Sequence, residues 1–330
     1  MDDVPAESGP TAFSITVVVP VLNALRFLTT TSPMVIAALA ASETSAIVYV
    51  DNGSTDGSFE FLQALVSHQL RVVRDATMTI AALRNLGASL GKGEYLSFLD
   101  ADCGILPGYF ESAIAVMAES HADATGCEVY VPTPPHWIER TLHMMHFMGR
   151  ERDVHYINSA NFFVSRRAFD AVHGFRVDLS TGEDSDIGRR LANAGFRMHE
   201  SPRVRAIHYG EPHSITEYYR RCVWHGLGMF ATVSRDRIDR PTAMLLAHIL
   251  ATLSGVLLLA SSSRETLLAR GAIALALQLP VPLATVAFRI RQTRRVPSMP
   301  AAVFLYLVYY WARLHALVLI IAGRTARYRK

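Results

Sequence analysis

From Phe13 to Val21 the chain reads FSITVVVPV, a β-branched run with no polar face. Such a run suits a strand covered on both sides within a parallel sheet. A helical stretch follows to about Ala41, with a restart expected at Ser32-Pro33. Ala46–Val50 is a second buried strand that runs directly into DNGSTDGS. Phe59–Ser67 reads as a helix, Leu70–Arg74 as a short strand and Ile80–Leu90 as a helix. Gly91-Lys92-Gly93 then turns the chain into the apolar run Tyr95–Leu99. This alternation predicts an α/β fold with a mainly parallel, doubly wound sheet, in which ligands bind beyond the carboxyl ends of the strands. Polar clusters fall at those ends: Asn23, Asp51 to Asp56, and Asp100 with Asp102.

Hydrophobic residues make up 50% of the 330, and the excess lies towards the C-terminus. Three apolar stretches, at about 242–260, 271–288 and 301–323, are candidates to cross a membrane as helices, for which roughly 20 residues are needed. The middle one is marginal in length and is interrupted by Pro280 and Pro282; the last carries Arg313 and His315. An unpaired charge in a membrane is expensive, so Arg313 is expected to face other helices or the interface. We therefore divide the chain into a lead-in (1–13), a catalytic domain (14–235) and a membrane region (236–330).

Arg235, Arg237 and Arg240 precede the first stretch, and Arg289, Arg291, Arg294 and Arg295 follow the second. Basic loops stay on the cytoplasmic side, which puts the catalytic domain there, at the inner (cytoplasmic) membrane. The basic tail, Arg324, Arg327, Arg329 and Lys330, leaves open whether 301–323 spans or lies in the interface. Residues 1–13 contain Asp2, Asp3 and Glu7 without an apolar core, and read as a disordered lead-in rather than a signal peptide. The net charge of +3 gathers beside apolar segments, which favours membrane lipids as partners over nucleic acid. Cys103, Cys127 and Cys222 show no metal-like spacing and no even disulfide framework.

The chemistry-bearing residues begin with Asp100-Ala101-Asp102, at the end of the third apolar strand. Carboxylates at i and i+2 of an extended backbone share a side, and hard cations such as Mg²⁺ or Mn²⁺ take one or two carboxylates and leave the rest to water and phosphate. Asp51, at the end of the second strand, is placed to accept from a base N–H or a ribose hydroxyl. Asp56 reads as a turn and helix-cap residue. Arg84 offers a diphosphate or base contact. In GEDSD, Asp186 reads as an acid at a helix start, while a neighbouring carboxylate can serve as a general base. His208 follows a short strand. His143 and His146, in TPPHWIERTLHMMHFMGRERDVHY, share a helix face, but no third ligand completes a zinc site. That stretch reads as a mobile amphipathic element lying against a membrane, on the acceptor side.

Together, over about Ile15 to Gly228, these pieces resemble the family 2 glycosyltransferases of the GT-A fold, inverting enzymes that use nucleotide-diphosphate sugars. VVVPVLN resembles the opening strand, VDNGSTDGS the second nucleotide-contacting motif, LRNLG the Arg-Asn-x-Gly helix, LDADC the metal motif and GEDSD the Glu-Asp motif. The resemblance implies donor contacts at Pro20, Val21, Asn23, Asp51, Asn52, Arg84, Asp100 and Ala101, a metal (Mg²⁺ or Mn²⁺) on Asp102 and His208, acceptor-side contacts at Asn161 and Glu183, and Asp184 as the base. It implies a membrane-anchored member that transfers a sugar to a lipid-linked or membrane-proximal glycan acceptor, as in cell-envelope polysaccharide assembly. Leu22 stands where many relatives carry an aromatic, which leaves the nucleotide open. The Gln-x-x-Arg-Trp box of processive synthases is absent, and Arg221-Cys222-Val223-Trp224 only echoes it. Two rivals stand beside this reading: a polyprenyl-phosphate sugar synthase, which Glu183-Asp184 disfavours, and a catalytically silent scaffold that keeps the fold.

Overall fold

The computed structural model describes residues 13–324 apart from 41, 128, 180, 181 and 233–239. The expectations for residues 1–12, Arg235, Arg237 and the tail residues Arg327, Arg329 and Lys330 lie outside the described residues. The chain begins with β1 (Ile15–Val21), α1 (Leu25–Leu39), β2 (Ala46–Asp51), α2 (Ser58–Gln63), β3 (Leu70–Arg74) and α3 (Ile80–Leu90). β4 (Tyr95–Leu99), β5 (Cys103–Ile105), α4 (Tyr109–Ser120), β6 (Ala124–Gly126) and α5 (Trp137–His146) come next. They are followed by β7 (Arg152–Val154), β8 (Asn161–Ser165), α6 (Arg166–Ala171), α7 (Glu183–Asn193), β9 (Met198–Glu200) and β10 (Ala206–His208). The C-terminal helices are α8 (Ile215–Thr232), α9 (Arg240–Ala260), α10 (Leu267–Ala276), α11 (Pro280–Thr293) and α12 (Met299–Ile321).

Two compact units result. The first comprises Met1–Val129, Arg150–Asp178 and Glu183–Gly210; the second comprises Tyr130–Gly149, Leu179–Gly182 and Glu211–Lys330. These units do not follow the expected 235/236 division, because α5 and α8 pack with the C-terminal helices. Their apolar faces are the reason: Ile138 of α5 and Tyr218, Cys222 and Val223 of α8 share a core with Leu305, Ala312 and Ala316 of α12.

In the first unit the sheet order is β3-β2-β1-β4-β8-β6-β9-β7. The pairs β3–β2, β2–β1 and β1–β4 are parallel, whereas β8 runs antiparallel to β4 and β6. With β2 on one side of β1 and β4 on the other, the winding reverses at β1, and a crevice opens at the strand ends. Both faces of β1 are buried, as the unbroken β-branched run requires. Val17, Val19 and Val21 pack in one layer with Leu28 and Val35 of α1, and Val18 packs in the other with Ala81 and Ala88 of α3. Gly87 lets α3 lie directly on β1, since a Cβ there would come within 2.3 Å of Val18 Cγ1.

Two helix expectations need correction. α1 runs through Pro33 without restarting at Ser32, because burial of Leu28, Val35 and Leu39 holds both halves despite the missing donor. α2 stops at Gln63 rather than Ser67, where the chain tightens into the i→i+3 bonds Leu65 N to Leu62 O and Val66 N to Gln63 O.

Among the described residues of the second unit, three helical segments are long and apolar enough to cross a membrane: Arg240–Ala260, Leu267–Thr293 and Met299–Ile321. The middle one starts earlier than expected and is broken between α10 and α11. Pro280 opens α11, a position where its lack of an N–H is harmless. Arg313 is turned towards other helices, as anticipated. Its guanidinium carbon lies 4.7 Å from the Tyr309 ring centroid, and its Cδ borders Gly226 of α8. The amphipathic reading of the His-rich stretch holds for α5, whose Ile138 and Met145 are buried among the helices of this unit.

Candidate active site

The ends of β1, β2 and β4 lead into polar residues: Asn23, Asp51 with Asn52, and Asp100 with Asp102. At the end of β2, Asp51 is fully buried. Its Oδ1 accepts from the backbone N–H groups of Gly53 and Ser54, both at 3.0 Å, and lies 3.2 Å from Arg74 Nε. Its Oδ2 has no hydrogen-bond partner, nor has the buried Oδ1 of Asn52. Unpaired buried acceptors are costly, and two at one strand end form a site for donors supplied by a ligand. Asn23, at φ +50°, knits the neighbouring loops: its N–H donates to Ser54 Oγ and its Oδ1 accepts from Thr55 N. Pro20 and Val21 are buried, and the Val21 carbonyl accepts from Asn52 N at 2.7 Å. Asp56 accepts from Leu25 N and from Ser58 N and Oγ, so one carboxylate fastens the starts of α1 and α2. Gly57 is the residue at the cap position itself.

Asp100 and Asp102 do not extend the strand, which corrects the expectation that they share one side of an extended backbone. β4 stops at Leu99, and the Cys103 N–H bonds the Asp100 carbonyl at 2.9 Å, closing a four-residue turn. The buried Ala101 between them accepts at its carbonyl from Thr31 Oγ1 of α1. The two carboxylates consequently take different partners. Asp100 accepts from Arg84 Nη2 at 2.7 Å, whereas Asp102 Oδ2 lies 3.2 Å from His208 Nε2.

Arg84 is 1% exposed, and its Nη1 donates to Glu183 Oε1 at 2.6 Å. Burial pulls its pKa down, but Asp100 and Glu183 outweigh that and the net direction is up. Arg84 is thus a buried brace between two carboxylates. The Glu183 carboxylate is buried against it. Asn161, expected on the acceptor side, is enclosed as well. It is fully buried, its Oδ1 accepts from Tyr109 OH, and its Nδ2 donates to the carbonyls of Cys127 and Val204. Its amide is tied into the framework by these bonds.

Asp184, one residue beyond Glu183, is half-buried at the start of α7. Its Oδ1 accepts from Ser185 N and its Oδ2 from the Tyr156 hydroxyl at 3.0 Å. Burial, and then the charge of Glu183, push its pKa above the ordinary carboxylate value, the direction that suits a base. Asp186 is held by Arg189 and Arg190 on its own helix, in keeping with an acid at a helix start.

The Asp102 and His208 ligand atoms stand at about the separation that two donors with ~2.0–2.2 Å bonds to one cation keep. Gly210 preserves this room, since a Cβ there would fall 1.8 Å from Asp102 Oδ2. The donor set thus fits a divalent cation. Among the described residues, the one group of metal-capable side chains is Asp102, Cys103 and His208, with ligand atoms within 4.8 Å of one another. The cysteines have no metal-like spacing along the chain, but the pairing of β5 with β10 sets Cys103 directly opposite His208. Local spacing cannot reveal a partner 105 residues away. Tyr156 and Gly210 were missed for the same reason, and His143 and His146 do not enter such a group.

Residues 16–174 match the sequence profile described as Glycosyl transferase family 2. The chain carries a family 2 glycosyltransferase domain. An uncharacterized glycosyltransferase from Haemophilus influenzae is 31% identical over 32% of this chain and 43% of its own length, so the chain spans less than half of that relative. The glycosyltransferase AglE from Haloferax volcanii is 24% identical over 71% of this chain and 78% of its own. Among solved structures, the mannosyltransferase PcManGT from Pyrobaculum calidifontis, in complex with GDP-Man and Mn²⁺, superposes with a TM-score of 0.58 at 18% identity. That match covers 93% of this chain and 86% of PcManGT. The sheet and its helices have the GT-A arrangement of glycosyltransferases, followed by C-terminal helices apolar enough to span a membrane.

Proposed function

We propose that the protein transfers a sugar from a nucleotide-diphosphate donor to a hydroxyl of a lipid-linked or membrane-proximal acceptor, with inversion at the anomeric carbon. The observation that carries this reading is the Arg84 bridge. By holding Asp100 and Glu183 it draws their neighbours Asp102 and Asp184 to one crevice, at the strand ends where the partnerless acceptors of Asp51 and Asn52 lie. Asp51 and Asn52 receive base or ribose donors. Asp184 takes the proton of the attacking hydroxyl, and Tyr156 holds its carboxylate in place. Asp102 and His208 hold the cation, Mg²⁺ or Mn²⁺, whose chemistry is to offset negative charge on the departing diphosphate. PcManGT, described with GDP-Man and Mn²⁺, supports both the donor class and the metal. The apolar helices tether the enzyme to the inner membrane with its catalytic unit on the cytoplasmic side, in keeping with Arg289, Arg291, Arg294 and Arg295 beside them.

The test is a panel of GDP-, UDP- and dTDP-sugars supplied to the detergent-solubilised full chain with lipid extract as acceptor. Nucleoside-diphosphate release and the product anomer are followed by NMR. One donor is expected to turn over with Mn²⁺ or Mg²⁺ and to give the opposite anomer. A retained anomer contradicts the single-displacement reading. Full transfer to polyprenyl phosphate by Asp184→Asn contradicts the hydroxyl acceptor.

A further inference from the structure

The geometry points to Cys103 as a thiolate ligand in the cation site of Asp102 and His208, which makes the site able to take thiophilic ions such as Zn²⁺, Cd²⁺ and Co²⁺. The inference rests on the metal component of the proposed function and extends it to a residue outside the expected pair.

The strand pairing is the first support. β5 and β10 are antiparallel, with Cys103 opposite His208 and Gly104 opposite Ile207. Residues directly opposite in an antiparallel pair project from the same face, with Cβ atoms about 4.5–5.5 Å apart. The fold therefore dictates the meeting of thiol and imidazole. The second support is distance. Cys103 Sγ lies 3.9 Å from Asp102 Oδ1, and His208 Nε2 lies 3.2 Å from Asp102 Oδ2. Four-coordinate Zn²⁺ with a Zn–S bond of about 2.3 Å and Zn–N or Zn–O bonds of about 2.0–2.2 Å sets its ligands roughly 3.3–3.6 Å apart. All three ligand atoms lie within 4.8 Å of one another, so the side chains have to draw together around the ion to reach that spacing.

The environment is the third support. Cys103 is 1% exposed and His208 nearly buried, while the Asp102 side chain retains 21% exposure. An ion thus enters past Asp102 and meets the sulfur and the imidazole behind it. On binding, the thiol proton passes to solvent as the metal–sulfur bond forms. Carboxylate, imidazole and thiolate together make a mixed set, and the sulfur favours soft ions over the oxygen-seeking Mg²⁺ and Mn²⁺. Cys103 acts here as a selectivity residue: it admits Zn²⁺ as a competitor at a site that works with a harder ion.

The test uses the metal-stripped full chain in detergent, titrated with Co²⁺ and followed by absorbance, with no donor present. Bound Co²⁺ is expected to show visible ligand-field bands together with a near-ultraviolet thiolate charge-transfer band. Cys103→Ser is expected to lose the charge-transfer band and keep the ligand-field bands, which also shows that the variant folds. In competition, Zn²⁺ affinity should fall by at least the 10–100-fold that loss of a supporting group around a metal costs, while Mn²⁺ affinity stays nearly constant. Ligand-field bands without a thiolate band in the unmodified protein overturn the inference, as does a thiolate band that survives Cys103→Ser, or a titration with no cobalt signal. A thiolate band in a protein that turns over no nucleotide sugar counts against the proposed function and leaves the Cys103 assignment standing.

Discussion

Two acidic doublets in the first unit divide in the same way. In Asp100/Asp102 and in Glu183/Asp184, one carboxylate binds Arg84 and the other faces a group with chemistry to perform: His208 for Asp102, Tyr156 for Asp184. The first set is a brace around a buried guanidinium. The second is an open rim. Doublets that look alike in sequence thus carry opposite tasks, and a single arginine sorts them. The lesson is that one buried cation can join two acidic doublets that lie far apart along the chain.

This comparison can be broken most sharply at Asp184. Asp184→Asn is expected to lower kcat by about 10²–10⁴-fold, the range for loss of a general base, with donor binding by calorimetry unchanged. Equal losses in Asp184→Asn and Glu183→Gln would erase the distinction between rim and brace. The brace itself is tested by Arg84→Met, which leaves two carboxylates facing each other. Breaking a buried ion pair from one side costs about 3–5 kcal/mol, and the lower end is expected because the Asp100 side chain is 33% exposed. Denaturant titration should show this loss, whereas a diphosphate-binding arginine would leave stability intact and raise the donor KM.

Asn161→Ala should lower stability by about 1–3 kcal/mol, the penalty of unpairing buried polar partners, and leave the acceptor KM unchanged. A raised acceptor KM at unchanged stability would return Asn161 to the acceptor side. The smallest effect is at Tyr156. Asp184 is raised by burial and by Glu183, and the Tyr156 hydroxyl opposes that rise. Activity should therefore fall as pH falls through a value above the ordinary 3.8. Tyr156→Phe should move that acid limb to higher pH by less than about one pH unit, the scale of one hydrogen bond. For stability the sign is the reverse of a salt-bridged acid. The cost of ionising Asp184 is absent below its unfolded pKa and fully present above its folded one.

The parts of this architecture that local pattern controls were legible in the sequence. β1 to β4, α3 and the three apolar stretches were read within a few residues, because β-branched runs and 20-residue apolar segments leave few alternatives. The places of Asp51 at a strand end, Asp102 just beyond one and Asp184 at a helix start followed from that pattern and from a motif order that resembles family 2 glycosyltransferases. What escaped is non-local. Arg84 reads as a surface or ligand-facing arginine until Glu183, 99 residues away, is seen to share it. Cys103 reads as an isolated thiol until β10 returns beside β5. Asn161 reads as a site residue because its bonds to Tyr109, Cys127 and Val204 leave no trace in the neighbouring sequence. The grouping of α5 and α8 is hidden for a related reason: along the chain they adjoin strands of the first unit, and only packing joins them to the C-terminal helices.

The central claim, that the open rim holds a cation which the donor requires while the brace does not, is tested most directly by one calorimetric comparison. The nucleotide-diphosphate sugar that turns over is titrated into the full-length protein with and without Mn²⁺, in parallel with Asp102→Asn. The account predicts tight binding only with Mn²⁺ in the unmodified protein, and weak, Mn²⁺-independent binding in Asp102→Asn. Equal affinity in all four titrations would contradict it.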